Sequence, residues 1–133
     1  IAHGRRALDM CNKIGWVEAD ACQLPFEDNS FDRILAVECI FHFPSREKFL
    51  AEAARVLRPG GKLLMVDMMP HERTDFIESM GHLWPGFDAE SITSWGRDAG
   101  FASIAYHPLP ADPAAKGPTL FAAVLRRGAS STR

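Results

Sequence analysis

The stretch that decides the fold is residues 16–67, which read WVEADACQLPFEDNSFDRILAVECIFHFPSREKFLAEAARVLRPGGKLLMVD. Two predicted strands in it, Phe31–Val37 and Lys62–Val66, contain continuous apolar runs of the kind found in strands covered on both faces. A segment with helical periodicity lies between them, after the N-cap candidate Ser45 and before Pro59-Gly60-Gly61. A strand, a helix and a strand in this order predict two parallel strands joined by a crossover helix.

Further elements are predicted on both sides of this unit. The last two strands have no helix between them, so we expect them to pair antiparallel. The predicted class is therefore α/β, a doubly wound and mostly parallel sheet with an antiparallel C-terminal pair. We expect one domain over residues 1–126 and a flexible polar tail over residues 127–133. The other predicted elements are helices at Ala2–Cys11, Thr74–Leu83 and Asp88–Ala99, and strands at Trp16–Ala19, Phe101–His107 and Thr119–Leu125.

The composition is that of an ordinary globular protein. The chain has 133 residues, 47% hydrophobic and 24% charged, with a net charge of -2. This charge gives no overall attraction to nucleic acid or to an anionic membrane, and neither a membrane span nor a signal peptide is visible in the sequence. The three cysteines show no metal-ligand or disulfide spacing, so we expect no metal, reduced thiols and a cytoplasmic location.

Acidic residues follow three of the predicted strands. Asp20, Glu38 and Asp67 each stand at the carboxyl end of a strand, and His42 follows Glu38 closely. In open α/β sheets, ligands bind outside the carboxyl ends of the strands. The sequence therefore predicts a site at this edge of the sheet.

Two motifs in the deciding stretch resemble a known family. Residues Asp20–Asp32 have the pattern D-A-x-x-L-P-F-x-D-x-S-F-D, and residues Arg55–Asp67 read R-V-L-R-P-G-G followed by a strand that ends in Asp. Together they resemble the class I S-adenosylmethionine (SAM) dependent methyltransferases, in particular the small-molecule branch with ubiquinone, sterol, tocopherol and sugar methyltransferases. The resemblance implies a Rossmann-like fold, SAM as methyl donor, and a small-molecule acceptor.

The resemblance also implies roles for the residues at the strand ends. Asp20 matches the acidic residue that accepts from the adenine amino group, and Ala21 matches the residue whose backbone N–H reaches an adenine nitrogen. Glu38 stands where relatives contact the methionine part of the cofactor. A carboxylate facing an exocyclic amine forms a strong, charge-assisted hydrogen bond. The alternative for Asp20 is a turn or cap residue.

The resemblance implies a catalytic pair in His42 and Asp67. A His with a nearby carboxylate could deprotonate an acceptor hydroxyl. Many relatives have two consecutive histidines here, whereas this chain has Phe41-His42, so the alternative is that His42 lines the pocket or caps the following helix. The resemblance also places a wall of the acceptor pocket, rich in Met and aromatic side chains, in the segment after Asp67, and the alternative is that these residues belong to the hydrophobic core. The residues concerned are Met68, Met69, His71, Trp84 and Phe87.

Parts of the family pattern are missing from the sequence. Neither the glycine-rich cofactor loop nor the acidic ribose-binding residue is found, so the expected fold lacks the first two strands of the family order three-two-one-four-five-seven-six. Strand Phe31–Val37 would then have an open edge. We expect either that strand Trp16–Ala19 pairs with this edge or that two chains form a homodimer through it.

The alternative function is a non-catalytic methyltransferase-like module that dimerises or binds a partner. An NAD-binding Rossmann domain fits less well, because GxGxxG is absent.

Overall fold

The computed structural model describes residues 13–70, 86–111, 113–114 and 117–129. Along these ranges the order is strand, helix, strand, helix, strand, strand, with a short 3₁₀ helix at Ile40–His42 after the first strand. The strands are β1 (Phe31–Val37), β2 (Leu57–Met68), β3 (Phe101–Pro108) and β4 (Leu120–Arg127), and the helices are α1 (Arg46–Val56) and α2 (Ala89–Ala99). No helix within the described ranges is long and apolar enough to cross a bilayer.

The four strands form one sheet in the order β1-β2-β4-β3. β1 and β2 are parallel, and β4 pairs antiparallel with both β2 and β3. This order equals the four-five-seven-six half of the predicted family order, so the Rossmann-like class and the antiparallel C-terminal pair are confirmed. The carboxyl ends of β1 and β2 consequently meet at one edge of the sheet, where the site residues were predicted.

Both helices begin at a side-chain cap, and α2 ends at a glycine. The Ser45 hydroxyl accepts the Lys48 N–H at 3.1 Å, and the Asp88 carboxylate accepts the Ser91 N–H at 2.8 Å. These bonds satisfy backbone donors that have no partner inside the first turn. Gly100 ends α2 in the left-handed conformation at φ 107°, which a residue without a Cβ adopts at little cost.

The core lies between the helices and one face of the sheet. α1 and α2 contact each other, and they pack on β2 and β3 respectively. Alternate residues of the central strands point towards them and are buried, as the two-residue period of a strand requires. This core consists mainly of Phe49, Leu50, Ala53, Leu57, Leu63, Met65, Ile92, Phe121, Ala123 and Leu125.

The opposite face of the sheet is apolar but exposed. Leu35 is 66% exposed and its register neighbour Leu64 is 39% exposed, and Val124 and Ala105 continue the same row. The next row towards the amino ends of β1 and β2 places Arg33, Lys62 and Arg126 side by side. We call this side, with these two rows, the uncovered face.

The prediction of a strand at Trp16–Ala19 is wrong. Residues 14–19 have no regular secondary structure, and Val17 is 61% exposed. A strand requires a neighbour to receive its hydrogen bonds, and no strand within the described residues pairs with this segment. The segment also does not pair with β1, so the first of the two expected solutions for the open edge is wrong.

Smaller differences concern the ends of the last elements. β2 begins at Leu57, five residues before the predicted start, because Leu57 already pairs with Phe31 of β1. The register then shifts across Pro59-Gly60-Gly61, so that the next pair is Arg33 with Lys62. β4 continues to Arg127, since Arg126 pairs with Lys62. The helices predicted at Ala2–Cys11 and Thr74–Leu83 lie outside the described residues.

Candidate active site

The carboxyl ends of β1 and β2 bring three of the predicted site residues together. β1 ends at Val37 and is followed by Glu38, and the 3₁₀ turn ends at His42. Asp67 is the penultimate residue of β2. Because β1 and β2 are adjacent and parallel, Glu38 and His42 come close enough to Asp67 to change its titration.

Asp67 is a charged residue with no exposed surface. It points to the helix side of the sheet because it follows the buried Leu63 and Met65 at two-residue spacing. Its Oδ1 accepts the backbone N–H of Met68 at 2.9 Å, and its buried Oδ2 has no hydrogen-bond partner among the described residues. A buried oxygen that lacks a donor is costly, and native sites that retain one commonly use it.

Burial raises the pKa of Asp67 from 3.8 to about 6, and this is the largest influence on it. The backbone N–H groups of Met68 and Ile40 act in the opposite direction, as does the charge of His42, while Glu38 raises the pKa further. Desolvation therefore outweighs the nearby donors. Such a carboxyl group changes its charge close to neutral pH, which is typical of groups that take part in proton transfer.

Glu38 has an unusual backbone conformation. Its φ is 49°, in the left-handed region that non-glycine residues seldom adopt, and its N–H donates to Val66 O at 2.7 Å. This bond continues the pairing of β1 with β2 while the chain turns away from the sheet. Positive φ at a residue of this kind costs free energy and is concentrated at functional sites.

Cys39 is a member of this cluster that the sequence reasoning missed. Burial raises the pKa of its thiol, and the negative charge of Asp67 adds to the effect. Both influences keep the sulfur protonated at neutral pH, so it is a weak nucleophile there. Its position directly after Glu38 was the available signal, but a lone cysteine without a partner motif does not stand out in a sequence.

Asp20 and Ala21 lie in a separate tight turn. The Asp20 carboxylate is exposed and accepts the Cys22 N–H at 2.8 Å, and the Asp20 carbonyl accepts the Gln23 N–H at 3.0 Å. The Cys22 thiol donates to Ser45 O at 3.3 Å, which ties the turn to the beginning of α1. The Asp20 carboxylate thus stabilises the turn and stays at the surface.

Two residues of the predicted acceptor wall belong to the core. Met68 and Phe87 are buried in the main hydrophobic cluster, and Tyr106 donates its hydroxyl to Phe87 O at 2.8 Å. His71 and Trp84 lie outside the described residues. Within the described ranges no group of three or more His, Cys, Asp or Glu side chains is arranged to hold a metal ion.

Comparison with known proteins gives the same class as the motifs. Residues 2–65 match the family described as methyltransferase domain. Methyltransferase GfsG of Streptomyces halstedii is 47% identical over 72 residues, which cover 54% of this chain and 26% of that protein. Demethylmenaquinone methyltransferase of Clavibacter sepedonicus is 29% identical over 136 residues, covering 81% of this chain and 55% of that protein. The chain thus spans about a quarter to about half of the length of these relatives.

A solved structure extends the likeness to the fold. A chain from the Haloferax volcanii complex between the Trm112 methyltransferase activator and its partner superposes with a TM-score of 0.78 at 20% identity, covering 95% of this chain and 67% of that chain. Together with the family match, this confirms the resemblance to the class I SAM-dependent methyltransferases.

Proposed function

We propose that the protein transfers a methyl group from SAM to a small-molecule acceptor. The observation that supports this most is Asp67, a fully buried carboxylate with an unpartnered Oδ2, next to His42 and Glu38 at the carboxyl ends of two parallel strands. In a chain whose residues 2–65 match a methyltransferase domain, this is where the resemblance places the reacting groups.

The cofactor would be held by Asp20, Ala21 and Glu38. The exposed Asp20 carboxylate already accepts one backbone N–H and has further acceptor capacity for an adenine amino group. The Ala21 N–H would donate to the adenine ring, and Glu38 would face the methionine part. These residue types fit the chemistry of adenosine and of an amino acid, so binding of SAM by this chain is part of the proposal.

His42 would act as the general base and Asp67 as its partner. SAM supplies an electrophilic methyl group on a sulfonium. His42 is exposed at the end of the 3₁₀ turn, where an acceptor hydroxyl can reach it, and it would take the hydroxyl proton as the oxygen attacks. Ionised Asp67 would stabilise the resulting imidazolium ion, and its pKa of about 6 keeps it mostly ionised at neutral pH.

We further propose a homodimer that forms through the open edge of β1. No strand of the described sheet pairs with this edge, and Leu35 and Val37 on it are strongly exposed. In an antiparallel pairing with Ile34 on the twofold axis, Arg33 meets Leu35 and Asp32 meets Ala36 of the second copy. A shift that puts Leu35 on the axis would pair only Arg33–Val37, because the chain turns away from the sheet at Glu38, so the first register, which uses the whole of Phe31–Val37, is favoured. A methyltransferase-like module that only dimerises is the second candidate function, and this exposed edge favours it.

The proposed location is the cytoplasm. Among the described residues, Cys22 and Cys39 are free thiols. Free thiols persist in reducing compartments.

Replacing Asp20 by Ala is expected to weaken binding of S-adenosylhomocysteine by about 10- to 100-fold, because a charge-assisted hydrogen bond to adenine is lost. Titration calorimetry of the wild-type and variant proteins measures this. Asp98→Ala is the control, since Asp98 is an exposed carboxylate on α2 to which no role in the site is assigned. Equal affinities of the Asp20 variant and the wild type would remove Asp20 from the site, and a wild type that binds nothing would favour the non-catalytic module.

Replacing Leu35 by Lys is expected to convert the dimer into a monomer, because the new ammonium group would stand opposite Arg33 of the second copy. Sedimentation velocity reports the oligomeric state, and circular dichroism confirms that the variant is folded. Ser103→Lys places the same charge on β3, the other edge strand, and should leave the dimer intact. A monomeric wild type would contradict the proposed dimer.

A further inference from the structure

The segment between the Asp20 turn and β1 has no regular secondary structure, yet α1 satisfies much of its backbone. At Leu24 the N–H donates to Glu52 Oε1 at 2.7 Å, and the carbonyl accepts from Arg55 at 3.1 Å. One helix thus holds both polar groups of the same peptide residue. Loop backbone is ordinarily satisfied by water or by turns within the loop, so this attachment to side chains of a helix fixes the path of the chain.

Arg55 extends the attachment along the loop. Its Nη1 donates to Phe26 O and to Asp28 Oδ1, both at 2.8 Å. Its Nε and Nη2 donate to the two oxygens of Glu52 at 2.7 and 3.1 Å. The guanidinium therefore uses all of its nitrogens at fixed angles, a geometry that an ammonium group cannot reproduce.

The helix backbone completes the attachment. The carbonyl of Arg55 accepts the Asn29 N–H at 3.0 Å, and the carbonyl of Val56 accepts the Ser30 N–H at 2.7 Å. At the other end of the loop, the Cys22 thiol is bonded to Ser45 O. The loop that begins at the Asp20 turn and ends at β1 is therefore laid along the whole length of α1.

Electrostatics support the same pairing. The hydrogen bond from Arg55 is the largest cause that lowers the pKa of Glu52, and the Leu24 N–H lowers it further. The carboxylates of Glu52 and Asp28 in turn raise the pKa of Arg55. The pair thus stays fully charged at neutral pH, the state in which its hydrogen bonds to the loop are strongest.

We propose that Glu52 and Arg55 are positioning residues for the adenine-binding turn. Leu24, which they hold by both backbone groups, comes directly after the turn Asp20–Gln23. The position of the Asp20 carboxylate and of the Ala21 N–H is then set by two side chains of α1. The inference rests on the proposed function, because it assigns the pair to the same cofactor site.

The test uses Arg55→Lys and Glu52→Gln, with Arg58→Lys as the matched control. Arg58 belongs to the same motif and forms an ion pair with Asp32 at 3.1 Å, but it is exposed and does not bond the loop. Hydrogen exchange at the Leu24 amide reports the attachment, exchange in β3 and β4 reports global unfolding, and calorimetry reports binding of S-adenosylhomocysteine.

Both loop variants are expected to exchange the Leu24 amide on the order of tenfold faster and to bind S-adenosylhomocysteine about tenfold more weakly. Exchange in β3 and β4 should be unchanged, and Arg58→Lys should resemble the wild type in every measurement. Faster exchange at Leu24 with unaltered affinity would overturn the proposal, and so would faster exchange throughout the sheet, which indicates a general structural role. A wild type that does not bind would overturn it together with the proposed function, and this outcome is distinct because it needs no variant.

Discussion

Replacement of Leu63 by Ala is expected to lower the free energy of unfolding by about 2–5 kcal/mol. Leu63 is completely buried in β2, on the face of the sheet that packs against the helices. The substitution removes apolar contacts and leaves a cavity that the rigid sheet can fill only in part. Urea denaturation of the two proteins at equal concentration measures the difference.

The neighbouring residue provides the control. Leu64→Ala removes the same atoms from the uncovered face, where the side chain is 39% exposed, and is expected to cost less than about 1 kcal/mol. If Leu64→Ala lowered the free energy of unfolding as much as Leu63→Ala, the uncovered face would be buried in solution. In that case the sheet has a second covering layer, and the one-sided core described above would be wrong.

Replacement of Asp67 by Asn is expected to remove much of the pH dependence of stability between about pH 4 and pH 6. The pKa of Asp67 is raised from 3.8 to about 6, so the folded protein binds this proton more tightly than the unfolded chain does. The stabilisation that comes from this tighter proton binding is fully present below the pKa of the unfolded chain. It is lost as the pH rises through the pKa of the folded protein. At neutral pH the buried charge therefore costs up to about 3 kcal/mol, the equivalent of the pKa difference.

The measurement is urea denaturation of the wild type and of Asp67→Asn below about pH 4 and near neutral pH. The difference in stability between the two conditions should be smaller in the variant by up to about 3 kcal/mol. Asp98→Asn, on the exposed side of α2, should keep the wild-type difference. An unchanged pH profile in Asp67→Asn would show that the carboxyl group titrates normally.

Much of the fold could be predicted from local patterns. The cap at Ser45, the end of α2 at Ala99 and the apolar run of β1 all coincide with the predicted positions. These signals work because they depend on neighbours within one turn or one strand. The predicted strand at Trp16–Ala19 failed for the same reason: its local pattern was suitable, but a strand also needs a pairing partner, which local sequence does not supply.

The candidate site could be predicted only in part. The placement of Glu38, His42 and Asp67 at strand ends followed from the alternation of strands and helices. The positive φ of Glu38, the proximity of Cys39 and the attachment of the loop by Glu52 and Arg55 did not. In the sequence, Glu52 and Arg55 are simply two charged residues on the outer side of a helix. Their partners in the loop are 27 to 31 positions away, and the loop has no regular pattern that would reveal them.

The sequence by itself determined the class of the protein, since its two motifs and its order of elements identify a methyltransferase-type α/β sheet. Only the tertiary structure decided which face of that sheet is buried and at which pH the Asp67 carboxyl group changes its charge. Both depend on distant segments. The helices pack on the face of the sheet that contains Leu63 and leave Leu64 exposed, and exclusion of water at the end of β2 raises the pKa of Asp67. Burial and desolvation are properties of the assembled chain, and no residue has them alone.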